Sequence, residues 1–503
     1  AKNVIFAIFA IQEMIPKLNM RDMRTKKNVL EDAKVGRPQV NVLLRPFTFK
    51  WFIVGFVQIV WVGSLYGFPM YTALLRNFGF TPAQIVLFGV GSQAGVGVAQ
   101  FPLYIMYQAC TNRFGAVTSD RIMSLVTSFT CILAILVMGF VIQFSSADNW
   151  VLFFIACLVY GMGCGGTFTH VLGVVNHNFA QGNLLRRVAV AHISLSMAVG
   201  SATYLVVYYF LMTKLSLAVT MYINALVFLL TFALRMVYVT RSKSNIPDKA
   251  ESDMAEETED SSTGASSNNT DGKPVTPYED PTPATFGDYC KSPIVWLCCL
   301  LSGFGAGIGS AYFSSAGNMV QTLLGSEASL AEVQQISFWV MFTFLMAQVV
   351  GRFCTVILYA RFNNAFILTL WQLINIIGVA SFLFASTLTT AYTSAAGIGL
   401  AFGGVWATFP VIVATVFPGN PSSQFRGAIC LPFLFISIGA ISVGQIQNVL
   451  LQVGSWAELN PNEYFTPFLW YFSTAVLCTI GAVILGYLIL GRRLVPKRET
   501  SNV

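Results

Sequence analysis

Apolar residues run through this chain in long blocks, each about the length that a helix needs to cross a bilayer. Roughly 20 apolar residues cover the hydrocarbon core. Runs of that kind lie at about 51–76, 83–109, 121–144, 150–175, 188–212, 216–239, 292–324, 336–360, 364–387, 390–416, 428–453 and 464–491. They predict an all-α integral membrane protein with twelve transmembrane helices. Most connections between the runs are short. The exception joins the sixth run to the seventh. Thr81-x-x-Gln84 and Ser329-x-x-Glu332 are capping-box sequences. They predict the first turns of the second and eighth helices.

The blocks repeat. Gly63-Ser64-Leu65-Tyr66 returns as Gly309-Ser310-Ala311-Tyr312, and Thr81-Pro82-Ala83-Gln84 as Ser329-Leu330-Ala331-Glu332. Ala99-Gln100 returns as Ala347-Gln348, and Asn112-Arg113-Phe114-Gly115 as Ala360-Arg361-Phe362-Asn363. The last three pairs share one offset of 248 residues (Ala99 to Ala347). Later in each half, the run from Gly161 to Phe168 resembles the run from Gly399 to Trp406. Glycines inside an apolar helix let neighbouring backbones approach closely. Duplicated halves of this kind are a common plan for solute carriers. The expected arrangement is two pseudo-symmetric six-helix bundles, at 47–240 and 292–491.

The long connection changes character. Residues 241–291 are rich in Ser, Thr, Pro and acids, and hold eleven of the chain's 22 Asp and Glu. Such a stretch has too little apolar surface for a packed core. It is expected to be a disordered acidic linker. Asn268-Asn269-Thr270 within it matches a glycosylation sequon, on a side where that machinery does not act.

Charge sets the expected orientation. Lys17, Arg21, Arg24, Lys26, Lys27, Lys34, Arg37, Arg45 and Lys50 precede the first run. Arg113, Arg121, Arg186, Arg187, Arg361, Arg426, Arg492, Arg493, Lys497 and Arg498 lie in even-numbered connections or the tail. The odd-numbered connections hold only Arg76 and Lys214. Lys and Arg favour the cytoplasmic side. Residues 1–46 then form a basic cytoplasmic segment, and residues 492–503 a basic cytoplasmic tail. Which membrane the protein occupies, plasma or organellar, is left open. The chain opens on Ala1, and its apolar residues 3–11 are too short to span. They read as an interfacial helix or as part of a targeting segment.

Overall composition agrees, at 55% hydrophobic and 10% charged residues. The net charge of +7 is accounted for by orientation and implies no nucleic-acid partner. Ten cysteines are scattered through apolar runs without metal spacing. No phosphate loop, metal cluster, nucleophile elbow or acid pair is visible, so neither an enzyme nor a cofactor is expected.

Twelve spans in a six-plus-six plan, with a long central loop, resemble the major facilitator superfamily over residues 47–491. That family's loop signature is Asp-Arg-x-Gly-Arg. Here it reads Asn112-Arg113-Phe114-Gly115, and in the second copy Arg361-Phe362-Asn363. Asn replaces the acid, and no Arg follows Gly115. The resemblance makes Asn112, Arg113, Gly115 and Arg361 candidate gating-loop residues. Gly351-Arg352, Gly403-Gly404-Val405-Trp406, Phe409-Pro410 and Phe425-Arg426-Gly427 are similar to the nodulin-like and monocarboxylate-carrier-like branches. The resemblance implies a secondary carrier of small polar or anionic solutes, with amino acids or monocarboxylates foremost.

Intramembrane ionisable groups point to sites because burying them is costly. None of the eleven acids outside the linker falls within the runs above, so facilitated diffusion or exchange is expected rather than proton symport. Arg352 is the deepest base. It lies nine residues before Arg361, roughly 13–14 Å into the bilayer at about 1.5 Å per residue. A guanidinium offers a carboxylate two parallel donors. Backbone carbonyls, water or an anionic substrate group would satisfy it. Gln348 is one turn away on the same face. Tyr66 and Tyr312 are repeat equivalents in the first and seventh spans. Trp406 lies in the tenth span and His192 in the fifth. These six are the candidate substrate residues; for each alone, packing is the plainer role. The rival reading is a non-transporting structural subunit of a larger membrane complex.

Overall fold

The computed structural model describes residues 62–65, 71–177, 184–242, 290–325, 328–359, 362–384, 386–416, 422–451 and 464–494. The first predicted span, Tyr66 and Arg361 therefore lie largely or wholly outside the described residues. So do nearly all of the basic N-terminal segment, the acidic linker and the C-terminal tail.

Among the described residues the regular structure is helical. The elements are α1 (Thr72–Phe78), α2 (Pro82–Val98), α3 (Gln100–Phe114), α4 (Ala116–Phe144), α5 (Trp150–His177), α6 (Leu184–Met212) and α7 (Leu217–Ser242). The second half holds α8 (Pro293–Leu324), α9 (Leu330–Leu358), α10 (Asn364–Phe384), α11 (Leu388–Val416), α12 (Ser422–Leu451) and α13 (Phe465–Leu494). The second predicted span is α2 and α3 in series, broken only at Ala99. Every later span matches one helix. Ten of these segments among the described residues are long and apolar enough to cross a membrane, and α7 adds a shorter apolar stretch, Leu217–Ala233.

Local chemistry explains the helix starts. Thr81 closes a full capping box: its hydroxyl accepts from the Gln84 N–H, and its own N–H donates to Gln84 Oε1 at 2.9 Å. In the second copy Ser329 accepts from the Glu332 N–H at 3.2 Å. Gly115 turns the chain between α3 and α4 with φ +78°, a backbone that favours glycine.

Packing repeats between the halves. α2 packs on α5, α4 on α5, and α4 on α7; likewise α9 packs on α11, α10 on α11, and α10 on α13. The glycine repeats make these contacts close. A methyl group on Gly165 would overlap the Val96 main chain of α2, and one on Gly403 would overlap the Gln348 main chain of α9. Inner and outer helices differ in exposure. Within Pro293–Leu324 and Leu388–Val413 an apolar 18-residue window is 78% and 83% buried, whereas in Val117–Phe144, Asn364–Phe384 and Phe465–Leu488 it is 44%, 44% and 39% buried. The exposed faces of the latter carry Phe129, Phe140, Ile377, Leu477 and Ile480. Large apolar side chains on that scale suit lipid rather than water.

Candidate functional site

The halves meet most extensively through two helix pairs, α2 with α12 and α6 with α9, and less extensively through α6 with α11 and α12 with α3 and α5. On the first seam Ser437 is the bridge. Its hydroxyl accepts from the Gly97 N–H at 2.7 Å and lies 3.1 Å from the Gln93 carbonyl, to which it donates. On the second seam Arg352 is the bridge. It is fully buried, and its Nη1 donates to the Ser194 carbonyl of α6. The partners weighed for this arginine from sequence are an anion, water or a carbonyl. The structure supplies a carbonyl, and it belongs to the opposite half.

The guanidinium also lies 5.9 Å from the centroid of the Trp406 ring, within reach of a cation–π attraction. Trp406 meets Phe168 of α5 edge-on at 6.0 Å and Phe433 of α12 at 5.5 Å. Phe168 and Trp406 are themselves repeat equivalents, so the two halves touch through matching rings. Arg352, Ser194, Phe168, Trp406 and Phe433 lie six to eleven residues from one end of their helices. At about 1.5 Å per residue that is roughly 9–17 Å; in a core about 30 Å thick, Arg352, six residues in, lies toward the face near the Gly115 turn, and Ser194, Trp406 and Phe433 lie deeper. Below Trp406 runs a narrow apolar crevice among α8, α11 and α12, walled by Val405, Phe409, Pro410, Ile429, Pro432 and Phe433.

The repeat exposes one asymmetry. Gln100 and Gln348 occupy equivalent positions. Gln100 donates to the Val96 carbonyl at 2.6 Å and accepts from the Thr169 hydroxyl at 2.6 Å, so both ends of its amide are satisfied. In the second copy the residue equivalent to Thr169, one beyond the Phe168–Trp406 match, is Ala407. Gln348 is fully buried, and neither its Oε1 nor its Nε2 has a hydrogen-bond partner. Leaving such a group unmet costs about 1–3 kcal/mol.

The other candidates fall elsewhere. Tyr312 is buried inside the C-terminal half. Its hydroxyl donates to the Ala391 carbonyl at 3.0 Å, and its ring stacks on Phe344 at 5.7 Å. It reaches Trp406 only through Phe344 and Phe402. These contacts all lie within its own half. His192 is half-buried on α6, two residues from Ser194, and its carbonyl accepts from the Ser196 hydroxyl at 2.9 Å. Asn112, Arg113 and Gly115 are exposed at the α3–α4 turn, with Arg113 5.3 Å from the Phe114 ring centroid.

Three features escaped the reading of the sequence. At the opposite end of the bundle from the Gly115 turn, Arg76 Nη1 donates to Gln321 Oε1 across the halves at 2.6 Å. At that same end, the Tyr209 ring of α6 stacks on Phe338 of α9 at 4.3 Å. The third corrects the expectation that no acid lies within a span: Asp120, Asp148 and Glu332 each fall at the start of a membrane-length stretch. The helix resumes directly after Gly115, so its membrane-length stretch starts at Val117 and includes Asp120. Asp120 Oδ1 lies 3.7 Å from Nδ1 of buried His170, whose Nε2 is 3.3 Å from the Ser124 hydroxyl. Asp120 is the first acid beside an apolar run, which was the available signal.

Comparison with known proteins follows this geometry. The Major Facilitator Superfamily pattern matches residues 51–442. A search of curated proteins finds no match. Among solved structures, the chain is similar to the proton:xylose symporter XylE bound to 6-bromo-6-deoxy-D-glucose, with 14% identity, a TM-score of 0.59, and coverage of 86% of this chain and 95% of that one. It is also similar to the transporter FucP in the outward conformation, with 13% identity, a TM-score of 0.53, and coverage of 86% and 99%. A further match is an E. coli structure of the fucose:proton symporter FucP, with 12% identity, a TM-score of 0.54, and coverage of 88% and 99%. At these identities the likeness concerns the fold.

Proposed function

The chain belongs to the major facilitator superfamily, and on that premise we propose that it is a secondary carrier of a small organic anion, an amino acid or a monocarboxylate, moved by alternating access. Within the family we place it beside the nodulin-like and monocarboxylate-carrier-like branches, on the Gly351-Arg352 and Gly403–Trp406 sequences. The end that carries the Gly115 turn faces the cytoplasm, as do both termini and the 241–291 linker.

One observation supports this reading most: a fully buried guanidinium within a membrane-length helix, on the seam between the halves, bonded to a carbonyl of the other half. A charge placed there is costly and serves a carrier in two ways. It offers a fork of donors that matches a carboxylate. It also makes its protein contact across the surface that must part. A solute carboxylate that takes the guanidinium from Ser194 loosens the seam as it binds. Trp406, 5.9 Å from the guanidinium, flanks it with an aromatic ring.

The sugar symporters named above share the fold with this chain. Their substrates use hydroxyl groups, which need no guanidinium. Exchange or facilitated diffusion is the proposed mode, because Asp120 sits in the first turns of its helix and not beside Arg352. A second reading, proton-coupled uptake, rests on the Asp120–His170 pair. Uptake into proteoliposomes with and without an imposed pH gradient separates the two. Binding of carboxylates, lost in Arg352→Ala, tests the substrate class.

A further inference from the structure

We propose that Gln348 selects, among carboxylates, those that carry a hydrogen-bond donor on the carbon beside the carboxylate: 2-amino or 2-hydroxy acids. This rests on the proposed carboxylate site at Arg352 and goes beyond it.

The argument begins with the repeat. Gln100 and Gln348 are equivalent glutamines on equivalent helices, and both are buried. The first is closed off by Val96 and Thr169. The second has Ala407 where the hydroxyl would be, and its amide keeps a donor and an acceptor without partners. A buried amide is ordinarily hydrogen-bonded. The loss of one hydroxyl in one copy therefore leaves a matched donor and acceptor in the half that also carries Arg352.

Spacing makes the pair usable together. Gln348 and Arg352 are four residues apart on α9, so their Cβ atoms lie about 5–6 Å apart on one face. A carboxylate on the guanidinium leaves its own neighbouring carbon within one turn of the amide. A group such as an ammonium or hydroxyl on that carbon donates to Gln348 Oε1. A carboxylate oxygen accepts from Gln348 Nε2. A plain monocarboxylate offers nothing to Oε1 and leaves it unmet. A site built to bond a polar group discriminates strongly against the analogue that lacks it.

The test is binding to the purified full-length protein, read as ligand-induced thermal stabilisation over a concentration series. The ligands form two sets: alanine, lactate and propionate; phenylalanine, phenyllactate and phenylpropionate. In the wild type the donor-bearing acids should bind at least about tenfold more tightly than the plain acid of their set. The amino and hydroxy members show which donor the site takes. Gln348→Leu should bring that ratio to near one: plain acids lose only the bond from Nε2 and bind more weakly, and donor-bearing acids lose both bonds and weaken further. Ala407→Ser restores a hydroxyl beside the amide and should lower the ratio without touching Gln348, which covers a Leu variant that fails to fold. Equal binding of plain and donor-bearing acids by the wild type, with Arg352 still required, overturns this inference and leaves the carboxylate carrier standing. An unchanged ratio in both variants also overturns it. Binding of no acid at all removes the carrier reading on which it rests.

Discussion

The Arg352 guanidinium of α9 donates a hydrogen bond to the Ser194 carbonyl of α6, and so links the two halves of the protein within the membrane-length part of both helices. The acceptor is main chain, so no substitution at Ser194 removes it. Only the arginine end can be tested. Arg352→Lys keeps the charge but loses the planar fork. Uptake of the transported solute should fall by at least about tenfold in Arg352→Lys, the size of one lost charged hydrogen bond. It should vanish in Arg352→Ala. Initial uptake rates, corrected for the amount of folded protein, check this.

The opposite end of the bundle is tied by Arg76 and Gln321 at 2.6 Å. A hydrogen bond to a charged group contributes about 1.5–3 kcal/mol, and two residues in contact couple. Arg76→Ala and Gln321→Ala should each lower the melting temperature. The double variant should fall short of their sum. Additive losses would mean the pair does not bond in the populated state.

Glycine at 165 and 403 is required by neighbouring main chain, which cannot rotate away as a side chain can. Gly165→Val and Gly403→Val should therefore lower folded yield and melting temperature markedly. A mild contrast is Gly115→Ala, where a Cβ meets open space and only the φ of +78° is strained, at about 1 kcal/mol. Size-exclusion profiles of the three variants after graded heating rank them.

The Asp120–His170 contact gives a prediction about energetics. Under exchange or facilitated diffusion, an imposed pH gradient should not drive accumulation of solute above equilibrium. Asp120→Asn should then alter only the rate. Gradient-driven accumulation that Asp120→Asn abolishes, with exchange left intact, would transfer the coupling role to this pair.

Much of the fold was legible because bilayer crossing imposes long apolar runs, and because the chain states its plan twice. The matches at Ala99-Gln100 and at Gly161–Phe168 placed equivalent helices before any coordinates. Arg352 stood out because its burial is costly. The rest depended on direction. Tyr312 shares its register with Tyr66, but its side chain turns toward Ala391 and Phe344, and nothing in the residues beside it signals which way it turns. Ser437 bridges the halves, yet a serine in an apolar helix is too common to single out. The difference between Gln100 and Gln348 lay in the sequence as Thr169 against Ala407. It gained meaning only when Thr169 was seen to bond Gln100.

Counterflow tests the central claim most directly. Proteoliposomes holding the wild type or Arg352→Ala are loaded with one unlabelled solute, and entry of the same labelled solute is followed. The account predicts a transient overshoot in the wild type with a small carboxylate, amino acids included, and none in Arg352→Ala at equal protein. Overshoot of equal size in the variant, or overshoot in the wild type only with uncharged sugars, would contradict it.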